Sequence, residues 1–219
     1  MTAKLALFDC DGTLVDSQAN ICTAVEHAFD VHALAPPPRN TIRRIVGLSL
    51  VEAMAALLPD AEDAQHRAIA DDYKAAFFKL RSQGKMGEEP LYQGISDTLE
   101  ALAACGWAMG VATGKSDRGL AHILAHHGIA HHFVTLQTAD RHPSKPHPSM
   151  VETAMAEAGA APQTTVMIGD TSFDMEMGRA AGARAVGVAW GYHPTEELHA
   201  AGAHVVVDTV ADLIAALEP

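Results

Sequence analysis

The chain has 219 residues, 48% of them apolar, enough to bury a full core, so a disordered polymer is excluded. Its formal charge of −12 excludes a binder of nucleic-acid backbones, which needs a basic surface, and no apolar run approaches the length of a membrane span. The three cysteines, Cys10, Cys22 and Cys105, are odd in number and lack paired spacing, so neither a disulfide framework nor a zinc site is indicated. No signal peptide precedes the first strand, and the expectation is a soluble, cytoplasmic protein with no membrane or nucleic-acid partner.

Leu5 to Phe8 is a continuous apolar run, the pattern of a strand buried on both faces. It stops at Asp9-Cys10-Asp11-Gly12. Aspartate is a poor strand former and Gly12 supplies a turn, so this is the strand's carboxyl end, where open parallel sheets bind ligands. Two carboxylates this close repel unless a cation or a shared proton intervenes, and a hard cation, magnesium above all, suits oxygen ligands. Taken alone, the pair is equally an Asp-Gly turn.

After Asp16 the pattern becomes helical. Ser17 is placed to cap a helix with apolar residues at Ile21, Val25 and Phe29. Pro36-Pro37-Pro38 forms a stiff turn. Ile42 to Leu58 reads as one or two helices interrupted near Gly47, and Ile69, Tyr73, Phe77 and Leu80 form the stripe of another. Residues 17–86 thus contain helices and no strand, and are expected to form a small helical bundle.

Strands and helices alternate from Leu91 onward. The predicted strands are Met109 to Thr113, Phe133 to Leu136, Thr165 to Ile168, Ala185 to Ala189 and His204 to Val207. The helices between them carry Leu99 and Leu102; Leu120, Ile123 and Leu124; Val151 to Ala158; and Met175 and Met177. A last helix runs from Val210 to Leu217. This repetition predicts an α/β fold with a Rossmann-like parallel sheet. The expected organisation is a core of residues 1–16 and 87–219, with a small α-helical cap, 17–86, inserted after the first strand. Two nearby crossings would let that cap move as a lid.

Three further strand ends carry polar groups. Thr113-Gly114-Lys115-Ser116 offers a hydroxyl and backbone N–H groups at a helix start, suited to phosphate oxygens, although a Thr/Ser helix cap reads equally simply. Lys145 stands among Pro143, Pro146 and Pro148, where its ammonium can neutralise an anion. Gly169-Asp170-Thr171-Ser172-Phe173-Asp174 is a second acidic strand end that could complete a metal site.

With Asp9-Cys10-Asp11-Gly12-Thr13, these motifs resemble the four signatures of the haloacid dehalogenase superfamily of phosphohydrolases, over essentially the whole chain. A cap between the first and second motifs is similar to that of the phosphoglycolate phosphatase branch. The resemblance implies roles. Asp9 would be the nucleophile that forms an aspartyl phosphate, and Asp11 the general acid and base. Thr113 and Gly114 would hold phosphoryl oxygens, with Lys145 offsetting charge. The cofactor would be Mg²⁺, bound by Asp9, Asp170 and the Asp11 main-chain carbonyl, and Asp174 would orient Lys145 or a metal-bound water. The partner would be a small phosphorylated metabolite, phosphoglycolate first among them, and the enzyme a monomer or homodimer. Competing readings are a sugar-phosphate mutase, which Thr13 argues against, a pyrophosphatase, and a non-catalytic phosphate sensor, which would need no nucleophile.

In the cap, Arg43 and Arg44 precede Gly47 in a segment resembling the specificity loop of such caps, and Arg43 is taken as the candidate to grip a substrate anion. The alternative is a solvent-facing pair. His122, His126, His127, His131 and His132 crowd one region but lack a carboxylate signature and read as a surface helix end. Cys10 reads as a small core residue, and Trp190 and Tyr192 as packing.

Overall fold

The computed structural model describes residues 2–217. Six strands form one sheet: β1 (Ala3–Phe8), β2 (Ala108–Thr113), β3 (Phe133–Thr138), β4 (Ala160–Gly169), β5 (Arg184–Val188) and β6 (Val205–Val207), in the order β3-β2-β1-β4-β5-β6. Every neighbouring pair is parallel. This is the α/β, Rossmann-like sheet that the apolar runs predict. The chain winds one way from β1 to β3 and the other way from β4 to β6. That reversal opens a crevice beyond the carboxyl ends of β1 and β4, which are the ends that carry Asp9 and Asp170.

The strand β1 lies at the centre because it is apolar on both faces. Ala6 and Phe8 pack on one side with Val111 and Ile168, against α5 (Ile95–Ala104), α6 (Asp117–His126) and α10 (Leu213–Leu217). Leu5 and Leu7 pack on the other with Met167, against α7 (Ser149–Ala158) and Met177 of α8 (Ser172–Ala180). The two-residue period of the pleat sorts these neighbours into opposite cores.

Between β1 and β2 lie α1 (Gln18–Val31), α2 (Arg39–Arg43), α3 (Leu50–Leu57) and α4 (Asp63–Ser82). Ile21, Val25, Phe29, Ile42, Met54 and Ile69 form a cluster apart from the two sheet cores. We propose that the chain divides at 16/17 and 86/87, a division that this separate cluster supports. The two crossings run side by side: Asp16 N donates to Pro90 O at 2.9 Å, and Asn20 and Gly87 exchange two bonds of 2.9 Å.

Residues 42–58 hold the end of α2 and all of α3, parted where Gly47 takes φ +103°, as the sequence reading expects. Other local details differ from that reading. Ser17 sits at the N-cap position of α1 without capping it, because its hydroxyl donates to the Asp11 carboxylate instead. The chain's end is a 3₁₀ turn, Val210–Asp212, followed by α10. A short helix, α9 (Thr195–Ala200), had no visible signal because only Leu198 of its six residues is buried.

Candidate active site

The parallel ladder carries past β1, with Asp9 N donating to Ile168 O at 2.9 Å. This holds the Asp9 carboxylate in the crevice, fully buried. Its Oδ2 has no hydrogen-bond partner among the described residues, and Oδ1 meets only one side chain. The Lys145 ammonium forms an ion pair with Oδ1 at 2.9 Å, and lies 2.6 Å from Asp174 Oδ1. Lys145 is itself buried, and the two acids keep it charged against the cost of burial.

Asp174 opens α8. Its Oδ2 accepts from Thr171 N at 3.1 Å and Thr171 Oγ1 at 2.7 Å, while Thr171 Oγ1 accepts from Asp174 N, a reciprocal capping box. One residue therefore starts the helix and aims the lysine. Asp170 is gripped on both oxygens, by Thr13 Oγ1 at 2.7 Å and by Tyr192 N at 2.9 Å.

Oxygens of Asp9, Asp170 and Asp174 all lie within 4.8 Å of one another. Burial pushes Asp9 up to about 7, against the pull of Lys145. Asp170 is raised well above the usual carboxylate range, by burial first and then by Asp9 and Asp174. Three buried acids against one lysine leave surplus negative charge, and Asp9 Oδ2 without a donor. That donor set fits a divalent cation with oxygen ligands. Asp9 has the barest carboxylate of the three, since both oxygens of Asp170 and both of Asp174 already accept hydrogen bonds.

Across the crevice, Asp11 Oδ1 accepts from Ser17 Oγ and lies 3.0 Å from Lys115 Nζ. Thr113 is buried at the end of β2, where its Oγ1 accepts from Lys115 N at 3.2 Å. Gly114 meets the cap directly: a Cβ there would stand 2.6 Å from the carbonyl oxygens of Gly47 and Leu48. A cavity of about 490 Å³ runs from Asp9, Asp11, Thr113 and Gly114 up between the cap helices.

A profile of the haloacid dehalogenase-like hydrolases matches residues 6–188. The chain belongs to that family. It is 36% identical over 216 residues to a probable phosphatase, IndB, of Dickeya dadantii, covering 97% of this chain and 92% of the relative. It is 30% identical over 226 residues to a phosphoglycolate phosphatase of Agrobacterium fabrum, covering 98% and 92%. A solved predicted phosphatase from Clostridium acetobutylicum superposes with a TM-score of 0.88, at 25% identity and 99% of each chain. Family and relatives together make this a hydrolase of phosphate esters.

The hydrolase's cap corrects one expectation. Arg43 does not reach the site; it is exposed at the end of α2, outside the cavity wall. Ile42 fills the cap core, and one residue on a helix is a turn of about 100°, which carries Arg43 outward. Arg44 also points away from the crevice and makes two bonds of 2.7 Å to Glu197 of α9. Ile45 to Leu48 are the residues that line the cavity instead.

The other features fall to packing. The His122 and His126 rings stack at 6.1 Å, and the one potential metal group among the described residues is the acidic trio. Cys10 is buried, and burial pushes its thiol well up, away from a thiolate. Trp190 donates to Thr13 O at 3.2 Å, bracing the first motif. Tyr192 does more than pack, because its main chain holds Asp170 and its hydroxyl lies 3.3 Å from Ser17 Oγ. Of the two partners of Asp11, the sequence reading gives Ser17 only a helix-capping role and Lys115 none, although Lys115 stands within the second motif. No helix among the described residues is long and apolar enough to cross a membrane.

Gly12 tests how closely the acids must fit. It takes φ +88°, and a Cβ would stand 2.2 Å from Asp170 Oδ2. Gly12→Ala should strain the loop by about 1–3 kcal/mol and displace Asp170, lowering turnover by about tenfold or more. Thermal melts and kcat on p-nitrophenyl phosphate check both. Wild-type kcat would mean that the position of Asp170 is not critical.

Proposed function

We propose that this hydrolase cleaves phosphate monoesters of small metabolites in two steps, with magnesium held by Asp9, Asp170 and the Asp11 main-chain carbonyl. An Asp9 oxygen attacks phosphorus, forming an aspartyl phosphate as the bond to the leaving oxygen breaks. Asp11 gives that oxygen its proton, then takes a proton from the water that cleaves the acyl phosphate and releases inorganic phosphate. Thr113 and the Gly114 N–H bind phosphoryl oxygens, and Lys145, aimed by Asp174, offsets the charge gathered on Asp9 and phosphate. Magnesium, when bound, supplies the remaining positive charge against which a dianion can approach a carboxylate. The relatives' names make phosphoglycolate the first metabolite to assay.

The observation that carries this reading is the Asp9 carboxylate. It is wholly buried, its Oδ1 meets only the Lys145 ammonium, its Oδ2 has no donor among the described residues, and it lies on the wall of the cavity. A buried carboxylate kept for structure would have partners on both oxygens, as Asp170 and Asp174 do. Release of phosphate from p-nitrophenyl phosphate should require magnesium, stop in excess EDTA and return when metal is restored. Activity unchanged in EDTA would overturn the metal assignment.

Stability should report the same cation. Without metal, the folded state holds the Asp9 proton up to about pH 7, against an ordinary value of 3.8. Between those values the folded state binds more protons than the unfolded chain, so this group's contribution to stability falls as pH rises and is fully lost above about pH 7. A bound cation removes the penalty. Magnesium should therefore raise Tm more at about pH 8 than at about pH 5.5. Equal shifts at both would mean that the ion does not meet Asp9.

A further inference from the structure

We propose that the substrate's leaving alcohol carries an apolar, ring-sized body that sits under the cap against Phe77 and Tyr73. This rests on the phosphatase reading and adds the class of alcohol. The cavity of about 490 Å³ has room for far more than a phosphate group. Six apolar side chains, Ile21, Val25, Ile45, Leu48, Met54 and Phe77, line its cap side, with the polar Lys74, Arg81 and Ser82 among them. The Tyr73 and Phe77 rings, 5.8 Å apart and tilted by 40°, line the same wall.

Two of the wall's cations are held by acids inside, and two stand exposed. Lys115 pairs with Asp11 at 3.0 Å, and Arg81 pairs with Glu89 while lying 4.7 Å over the Phe77 ring. Lys74 pairs with Asp71 at 3.5 Å, and the exposed Arg118 lies 4.2 Å over Phe78 at the rim. A second anion inside the cavity would have to compete with Asp11 or Glu89 for Lys115 or Arg81, and the remaining cations, Lys74 and Arg118, stand exposed away from that interior. An apolar ring gains from burial on the same wall and breaks nothing.

Benzyl phosphate, cyclohexylmethyl phosphate, phosphoglycolate and glycerol 3-phosphate all release unactivated primary alcohols. Their kcat/KM values with magnesium therefore compare compartments rather than leaving-group acidity. Both ring esters should exceed both polar esters by about tenfold or more. Phe77→Ala, or Phe77→Leu if the first fails to fold, should shrink that ratio; an unchanged ratio would remove the ring from that wall. A polar ester used as well as or better than the ring esters overturns the proposal and leaves the phosphatase reading standing. If none of the four is hydrolysed, the phosphatase reading fails and binding decides. Benzylphosphonate should then bind the wild-type protein with magnesium at least about tenfold tighter than phosphonoacetate by calorimetry, and equal or reversed affinities overturn the proposal.

Discussion

Asp9→Asn should reduce phosphate release by about 10³-fold or more and still give a folded protein, at least as heat-stable as wild type in the absence of metal. The amide nitrogen cannot attack phosphorus, and the amide oxygen is a poor nucleophile, so the first covalent step is lost. The stability half follows from the electrostatics of the crevice. Asp9 is fully buried among Asp170 and Asp174, and burial already holds its proton up to about 7. A neutral amide of the same shape removes one of three crowded negative charges. Lys145 keeps Asp174 at 2.6 Å, so no cation is orphaned. Magnesium should in turn stabilise this variant less than it stabilises wild type. Phosphate release and melting curves with and without metal check the two halves separately. A variant that keeps its turnover would end the covalent mechanism. One that melts far below wild type would show that Asp9 serves the fold.

Where a motif's meaning is local, the sequence shows it. The strand β1 is a run of four apolar residues ended by acids, and no helical face would hold Leu5, Ala6, Leu7 and Phe8 all at zero exposure. The four strand ends could be named because the sheet is parallel, and a parallel sheet puts all such ends on one edge. Contacts between distant segments are a different matter. Thr13 bonds to Asp170 across 157 residues, and Asp170 takes its other donor from a main-chain N–H at Tyr192, which carries no side-chain signal at all. Lys115 stood in plain sight in the second motif, but its partner Asp11 is fixed only by the closing of β1 against β2. Arg43 failed for a reason of phase. A helix as short as α2, begun after Pro38, shows no periodicity, so nothing along the chain says which of two adjacent arginines faces the crevice. In the folded protein neither does.

Lys145→Met should be the most damaging single change to the fold. Methionine fills the space of the lysine stem, so no large cavity opens, and the loss is electrostatic. Lys145 is the cation that Asp9 and Asp174 share, at 2.9 and 2.6 Å, with all three buried. Removing one member of a buried ion pair leaves the others uncompensated, at a cost of about 3–5 kcal/mol. The sign of its pH dependence follows from Asp9. At low pH Asp9 takes up a proton and part of the charge disappears, whereas above about pH 7 it must ionise beside Asp170 and Asp174. The deficit against wild type should therefore be smaller at about pH 5.5 than at about pH 8, and urea melts in EDTA at both values measure it. Turnover should fall by about 10²-fold or more even when magnesium restores the fold, because the charge gathering on Asp9 and phosphate has lost its fixed counter-ion. A variant as stable as wild type at both pH values would mean that the lysine does not bridge these acids in solution, and the arrangement of the crevice argued from them would fall with it.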